Sequence, residues 1–358
     1  MHLWNTPSWP SFRHDPTRTE ALLARASTRL GEISGQHAGL SAEDRREAFL
    51  RAVTGEALAS FSIEGVALSA AEIEASVVAS LAHRTAAEPP KRRSDAIADL
   101  MLEARSPNGP LTAERLWHWH RLLFHGLEVE EKGKWRSFTM EIVRGATGRR
   151  EDVLYTAPPP DRVAAEMEIF LHALATDTSP PPIRAAIAHL WFESIHPFSD
   201  GNGRIGRAIV EHVFAETAPL PFSLSRQIEA DKRGYYAALQ TGRRDAGPHI
   251  DATDFVLWFL ERLIAGVDEA ELEARFLLRR NGFFSRFPDL PARAEAVFRR
   301  LFAEGAARVD QGVSAAPYGK IARVSAATAT RDLVELEQRG VLRRSAEGGR
   351  ATRYFLNS

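Results

Sequence analysis

The stretch His196-Pro197-Phe198-Ser199-Asp200-Gly201-Asn202-Gly203-Arg204-Ile205-Gly206-Arg207 decides how this chain is read. Upstream, Ile183, Ile187, Leu190 and Trp191 recur at the spacing of one helix face, and downstream Ile205, Ile209 and Val213 do the same. The pattern predicts a helix, a tight loop and the start of a second helix, with Pro197, Gly201 and Gly203 at the sharp turns. Gly201, Asn202 and Gly203 place backbone N–H groups at a helix start, a seat for phosphate. Arg204 and Arg207, three apart on one face, suit bidentate grip of phosphate oxygens. Asp200 offers the hard carboxylate oxygen that Mg²⁺ takes alongside phosphates. Histidine is the side-chain type suited to general-base work near neutral pH, which makes His196 the candidate base, and Phe198 is the apolar pin of the loop. Alone, a Gly-Asn-Gly turn or a His before Pro is more often structural. Together the residues describe a nucleotide site with a metal and a base.

The pattern H-x-F-x-D-G-N-G-R-x-x-R fixes eight positions, and a chance match in a chain of this size is on the order of one in ten million. It resembles the signature of the Fic (Fido) family, with no departures. The resemblance implies a mainly α fold, a Fic-type helical bundle with a β-hairpin flap, that transfers AMP from ATP with Mg²⁺ to a protein hydroxyl. His196 then deprotonates the target, Asp200 binds the metal, Gly201 to Arg204 hold the phosphates, and Arg207 is the second phosphate arginine. Gly206 belongs to the same nucleotide-binding set. Tyr235 and Tyr236 resemble family positions that pack on adenine or ribose, with core packing an equal alternative for each. The resemblance also implies a homodimer.

A second segment gains meaning beside the motif. In Ser60-Phe61-Ser62-Ile63-Glu64-Gly65, Gly65 reads as a helix-ending residue and Ser60 lies one turn from Glu64. Alone this is a solvated Glu before a helix stop. It resembles the family's inhibitory helix, whose Glu pairs with the motif's second Arg, here Arg207. A carboxylate on Arg207 would occupy the group that should hold the γ-phosphate.

The totals set bounds. The 358 residues suffice for two or three domains, and 44% hydrophobic content allows a sizeable core. The net charge of −1 gives no global bias toward nucleic acid or membrane. The absence of cysteine excludes disulfides, thiolate catalysis and Cys-based zinc sites. No signal peptide is read at the start, and no apolar run approaches the ~18–20 residues that span a bilayer. A soluble cytoplasmic protein is expected.

Four regions follow. Residues 1–92 form an N-terminal helical region with the inhibitory segment. Trp4, Trp9 and Phe12 dock an arm onto the first helices, and a helix from Arg18 to His37 buries Leu22, Leu23 and Leu30. Ser41 caps the next helix. Residues 93–267 are the catalytic core, including an amphipathic helix with Leu116, Trp119, Leu122 and Leu123 inward. His118, His120 and His125 lie near it, but lack acidic partners at ligand spacing for zinc. The alternation of Phe138, Met140 and Ile142, then Val153 and Tyr155, around a Gly-rich turn predicts a β-hairpin. By resemblance, Val153, Leu154 and Tyr155 form a flap that registers the target chain by strand addition. Residues 268–291 are a helical connector, and 292–358 resemble a winged helix-turn-helix. Its recognition helix runs from Ser325 to Arg339, and its basic wing includes Arg343, Arg344, Gly348, Gly349 and Arg350.

Two classes of function compete. One is an autoinhibited adenylyltransferase acting on Ser, Thr or Tyr of a target or of itself, with removal of AMP as a variant and UMP or GMP as alternative donors. The other is a nucleotide-sensing DNA-binding transcriptional regulator. DNA and protein are both open as partners of the C-terminal module, because Asp332, Glu335 and Glu337 on its helix would repel phosphates.

Overall fold

The computed structural model describes residues 2–83, 89–106, 109–144, 152–346 and 352–357, without the side chains of residues 83, 143, 144 and 152. The Gly-rich hairpin turn and the expected wing residues Gly348 to Arg350 lie outside this description. The chain forms two compact units, Met1–Glu271 and Leu272–Ser358. The fold is mainly helical, as expected. Among the described residues, no helix is long and apolar enough to cross a membrane.

In the first unit, β1 (Phe12–Arg13) leads into α1 (Pro16–Ala38), α2 (Ala42–Ile63), α3 (Ala70–His83), α4 (Arg93–Ala104) and α5 (Ala113–Leu123). The hairpin β2 (Glu141–Arg144) and β3 (Asp152–Thr156) precedes α6 (Pro160–Thr176), α7 (Pro181–Ile195) and α8 (Asn202–Ala215). Then come α9 (Leu224–Ala230), α10 (Lys232–Thr241), β4 (Arg244–Asp245), β5 (Ile250–Asp251) and α11 (Thr253–Arg286), within which the division between the units falls.

The pair α7 and α8 lies at the centre, and Leu190, Phe192, Ile195, Ile205 and Ile209 are fully buried. Burying such side chains contributes about 1.5–3 kcal/mol each. The expected inward set on α5, Leu116, Trp119, Leu122 and Leu123, is buried. Ser41 caps α2 by accepting from the Asp44 N–H at 3.1 Å. On α1 the buried stripe is Thr19, Ala26 and Ile33, and the expected Leu22, Leu23 and Leu30 flank it half-buried. Small residues at the centre of the stripe let the helix approach its neighbours, which the leucines' bulk had obscured.

The N-terminal arm differs from its expected placement on the first helices. Its indole N–H groups need acceptors, and Trp4 Nε1 donates to the Thr156 carbonyl at 3.0 Å while Trp9 Nε1 donates to Glu166 at 2.8 Å. Phe12 packs toward Trp191 on α7. β1 pairs in parallel with β5, and β5 in antiparallel with β4. These two-residue strands carry no alternation that sequence could reveal.

The second unit contains α12 (Ala292–Ala303), α13 (Ala306–Asp310), α14 (Ala315–Ala322), α15 (Ala326–Gln338), β6 (Leu342–Arg344) and β7 (Tyr354–Leu356). The two strands pair in antiparallel, Leu342 opposite Leu356. Phe283, Val297, Phe298, Leu301, Tyr318, Leu333 and Leu336 form its core. Phe283 and Leu290 come from the stretch expected as a connector, so much of residues 268–291 is built into this unit rather than linking to it.

Candidate functional site

The loop between α7 and α8 is fixed by a few buried groups. His196 caps α7 in the left-handed region, φ 50° and ψ 61°, a conformation that costs a non-glycine residue on the order of 1 kcal/mol or more. Arg136 holds it there. This side chain is 2% exposed and donates to the carbonyls of His196 at 2.8 Å, Phe138 at 2.7 Å, Pro158 at 2.6 Å and Ile195 at 3.3 Å. Burial lowers its pKa to about 10, so it stays charged at neutral pH. Asn202 closes the loop from the other side, accepting from the Phe198 N–H and donating to the Phe198 carbonyl, both at 2.9 Å. Its side chain is thus committed to the loop, leaving its backbone for any ligand. Gly201 has φ 79°, and a Cβ there would lie 2.5 Å from Leu123 Cδ2. Only glycine fits.

Under the loop lies His120, stacked on Phe198 with ring centroids 4.2 Å apart. Its Nδ1 accepts from the Gly133 N–H at 2.8 Å, which leaves Nε2 to donate to the Asp200 carbonyl at 3.2 Å. Both bonds need a neutral ring, and burial lowers its pKa to about 4. His120 therefore braces the loop and is no metal ligand. His118 instead meets Glu103 at 3.2 Å.

His196 has an acid at its back. Its Nδ1 lies 3.4 Å from the Glu193 carbonyl and 3.6 Å from Glu193 Oε2. Burial alone would raise the Glu193 carboxyl, but the His196 imidazole, with His189 and Arg243 beyond, holds it at about 2. Glu193 Oε1 has no hydrogen-bond partner among the described residues. Gly206, expected among the nucleotide ligands, faces α7: a Cβ there would meet His189 at 3.0 Å and Glu193 Oε1 at 3.3 Å. It makes room for the acid and does not border the cavity.

The cations occupy different settings. Arg204 is 5% exposed, lies over the Phe61 and Phe124 rings, and reaches Asp200 Oδ1 at 3.2 Å. Asp200 also accepts from the Gly201 N–H through Oδ1 at 2.5 Å. Its other oxygen has no protein partner among the described residues, and the side chain is 59% exposed. One free carboxylate oxygen suits Mg²⁺, which keeps several waters and shares phosphate oxygens. Arg207 is 2% exposed. It donates through Nε to Ser60 Oγ at 2.9 Å, and through Nη2 to the Ser60 carbonyl at 2.7 Å and Glu64 Oε1 at 2.9 Å. Glu64 caps α2, and Gly65, φ 76°, turns the chain away. A Cβ on Gly203 would lie 2.6 Å from Glu64 Oε1, so the carboxylate stands directly over the start of α8.

Of these groups, Glu64, Glu193, His196, Asp200 and Gly201 to Arg204 border one cavity of about 720 Å³, together with Leu154 of the hairpin. That volume lies within the usual range for small-molecule sites. The two tyrosines differ. Both line the cavity, but Tyr235 is buried, with its hydroxyl 2.8 Å from His189 Nε2, whereas Tyr236 is 45% exposed. On β3, Val153 and Leu154 are exposed, but the Tyr155 hydroxyl donates to the Ser194 carbonyl at 2.8 Å and its ring lies under Arg243. Tyr155 thus anchors the hairpin through its side chain. Sequence reading missed Arg136, His120 in its bracing role, and Glu193. Only Glu193 left a signal, as the one acid of α7.

Residues 110–214, which run from before α5 into the last turn of α8, match the family model for the Fic/DOC family. The chain carries a Fic domain. Residues 2–82 match a domain of unknown function, DUF4172. The chain is similar to protein adenylyltransferase fic-1 of Caenorhabditis briggsae, 28% identical over 129 residues, which is 36% of this chain and 24% of that protein. It is 26% identical over 132 residues to fic-1 of Caenorhabditis elegans, 36% of this chain and 23% of that one. The match spans about a quarter of the length of these curated relatives. Among solved structures, a Fic family protein from Desulfovibrio desulfuricans G20 has a TM-score of 0.55 at 24% identity, covering 98% of each chain. A Fic domain containing signaling protein from Bacteroides thetaiotaomicron has 0.53 at 18%, covering 69% of this chain and 98% of its own. At these identities the likeness is one of fold.

Proposed function

We propose that this Fic protein is an autoinhibited adenylyltransferase that moves AMP from MgATP to a Ser, Thr or Tyr hydroxyl of a target protein or of itself. The observation that supports it best is the convergence on one cavity of His196, Asp200 and the amide-rich start of α8, with Glu64 on Arg207 at 2.9 Å. Glu193 faces Nδ1 of His196, so Nδ1 keeps the proton and Nε2 is the basic nitrogen. Nε2 takes the proton of the target hydroxyl as that oxygen attacks the α-phosphorus. The bond from the α-phosphorus to the β-bridging oxygen breaks, and pyrophosphate leaves. Glu193 stabilises the imidazolium, a task its buried charge behind Nδ1 suits. Arg204 and the N–H groups that open α8 hold the phosphates. Asp200 would hold Mg²⁺, which offsets charge building on the leaving group. Tyr236 offers a face to the base, and the exposed edge at Val153 and Leu154 offers a strand to the target.

Glu64 blocks this reaction where it stands on Arg207. It takes the Arg207 guanidinium from the γ-phosphate and stands where phosphate would approach Gly203. A charge-assisted hydrogen bond of about 1.5–3 kcal/mol corresponds to one or two powers of ten in rate. The test is transfer of α-labelled ATP to a lysate or to the protein itself. Glu64→Gly protein gains label over wild type, and adding His196→Ala removes it. No label from the Glu64→Gly protein would sink the reading.

A further inference from the structure

The two units carry opposite charge. Residues 272–358 hold 16 Lys and Arg against 9 Asp and Glu, a net +7, so that residues 1–271 carry −8 of the chain's −1. A basic unit joined to an acidic one is the electrostatic footprint of a polyanion partner. Whole-chain charge hides it completely.

The fold of the second unit gives that charge a shape. α14 and α15 are joined by the three residues 323–325, with Arg323 left-handed at φ 54°. Gly319 lets them cross closely, since a Cβ there would lie 3.1 Å from the Val324 carbonyl and 3.5 Å from Ala329 Cβ. This is a helix-turn-helix corner. α15 buries Ala329, Leu333 and Leu336, and leaves Ala326, Ala327, Thr330 and Arg331 exposed along its first two turns. Two alanines at the leading end put no bulk between the helix and a groove.

The acids of α15, which in sequence argued against phosphate, are placed away from this end. Asp332 is turned inward onto Arg293 Nε at 3.1 Å and the Tyr318 hydroxyl at 3.2 Å. Glu335 and Glu337 lie in the last turns, Glu335 toward Arg339 at 4.0 Å. The exposed cations Lys320, Arg323, Arg331, Arg343 and Arg344 have no carboxylate partner among the described residues. They fall on α14, the corner, the leading part of α15 and β6.

We propose that the second unit binds duplex DNA, with the leading half of α15 in the major groove and Lys320, Arg323, Arg343 and Arg344 on flanking phosphates. The major groove, about 12 Å wide, admits one helix, and base contacts come from the start of a recognition helix. Arg331 is the residue placed to read a guanine edge. A protein partner would have no need of four cations without carboxylate partners around a helix end whose one exposed charge is Arg331.

The test uses the full chain. A random duplex library is selected for binding, and fluorescence anisotropy then compares the enriched duplex with a scrambled one between about 50 and 200 mM salt. The enriched duplex binds at least about a thousandfold tighter, with a slope of log affinity on log salt of about −3.6 for four phosphate contacts at about −0.9 each. Arg331→Ala loses about tenfold or more of the preference between duplexes. Arg343→Ala with Arg344→Ala keeps the preference and flattens the slope by about 2. All three positions are exposed, so unchanged thermal unfolding separates these effects from misfolding. No enrichment, equal weak binding to every duplex, or affinity indifferent to these substitutions would overturn the proposal, and would point to protein as the partner. Failure here leaves the transfer reading untouched, because that rests on the other unit.

Discussion

The loop from His196 to Gly203 and the end of α2 from Ser60 to Gly65 border the same cavity, yet they are held in opposite ways. The loop is locked from beneath by buried, many-valent groups: Arg136 on four carbonyls, Asn202 on both backbone groups of Phe198, and His120 between Gly133 and Asp200. At the end of α2 Ser60, Phe61 and Ile63 are buried, but the tip that carries Glu64 is held near the surface. Glu64 is 32% exposed, Ser62 bonds Glu229, and Lys232 bonds the Ile63 carbonyl. The contrast separates a part that must keep its geometry from a part that can let go. Catalytic groups need positions fixed to a fraction of an ångström, whereas a block is useful only when a modest free energy removes it.

The contrast is broken most severely at Arg136. Arg136→Met leaves buried carbonyls without a donor and should cost about 3 kcal/mol or more of stability, read as a lower midpoint in chemical unfolding. Retention of wild-type stability would mean the loop is held by something else. Next is Glu193→Gln, which keeps volume and removes the charge behind His196. Transfer by the Glu64→Gly enzyme should fall about tenfold, with the acid limb of its pH profile moving to lower pH as the imidazole becomes less basic. A fall without that movement would mark a purely structural role.

The third prediction concerns His120. Its folded pKa of about 4 lies below the ordinary 6.5, so below pH 6.5 the unfolded chain binds a proton that the fold refuses. Stability should therefore fall as pH drops from about 6.5 to about 4, by up to about 1.4 kcal/mol per unit from this group. His120→Gln flattens that slope in denaturant titrations. His189 and His212, also lowered by burial, keep part of it. The smallest effect is at the releasable side: Lys232→Ala frees the Ile63 carbonyl and should raise basal transfer about two- to fivefold, in line with a surface contact of under about 1 kcal/mol. A decrease would contradict the idea that Lys232 helps hold the block.

What sequence revealed follows the same division. The helix-loop-helix around His196 was legible because its turns are written in local glycines and its helices in local periodicity. The placement of Glu64 was legible only through resemblance, since no rule of spacing brings residue 64 to residue 207. Arg136 and His120 were invisible: their partners are mostly backbone groups up to 80 residues away, and backbone groups leave no mark in composition. Gly206 looked like part of the phosphate loop from its neighbours, but helix periodicity turns it toward Glu193. In the second unit, the helices were readable, whereas the inward turn of Asp332 was not. That turn required Arg293 and Tyr318, distant residues that only the fold assembles.

The central claim is that Glu64 occupies the guanidinium intended for the γ-phosphate, and nucleotide affinity measures this without any target. In a His196→Ala background, which prevents turnover, calorimetry gives the Kd of ADP relative to that of ATP with Glu64 present and with Glu64→Gly. The ratio should be near one with Glu64 in place and rise to about ten or more once Arg207 is free. An unchanged ratio would show that Arg207 is not withheld by Glu64, and the account of the blocked site would fall.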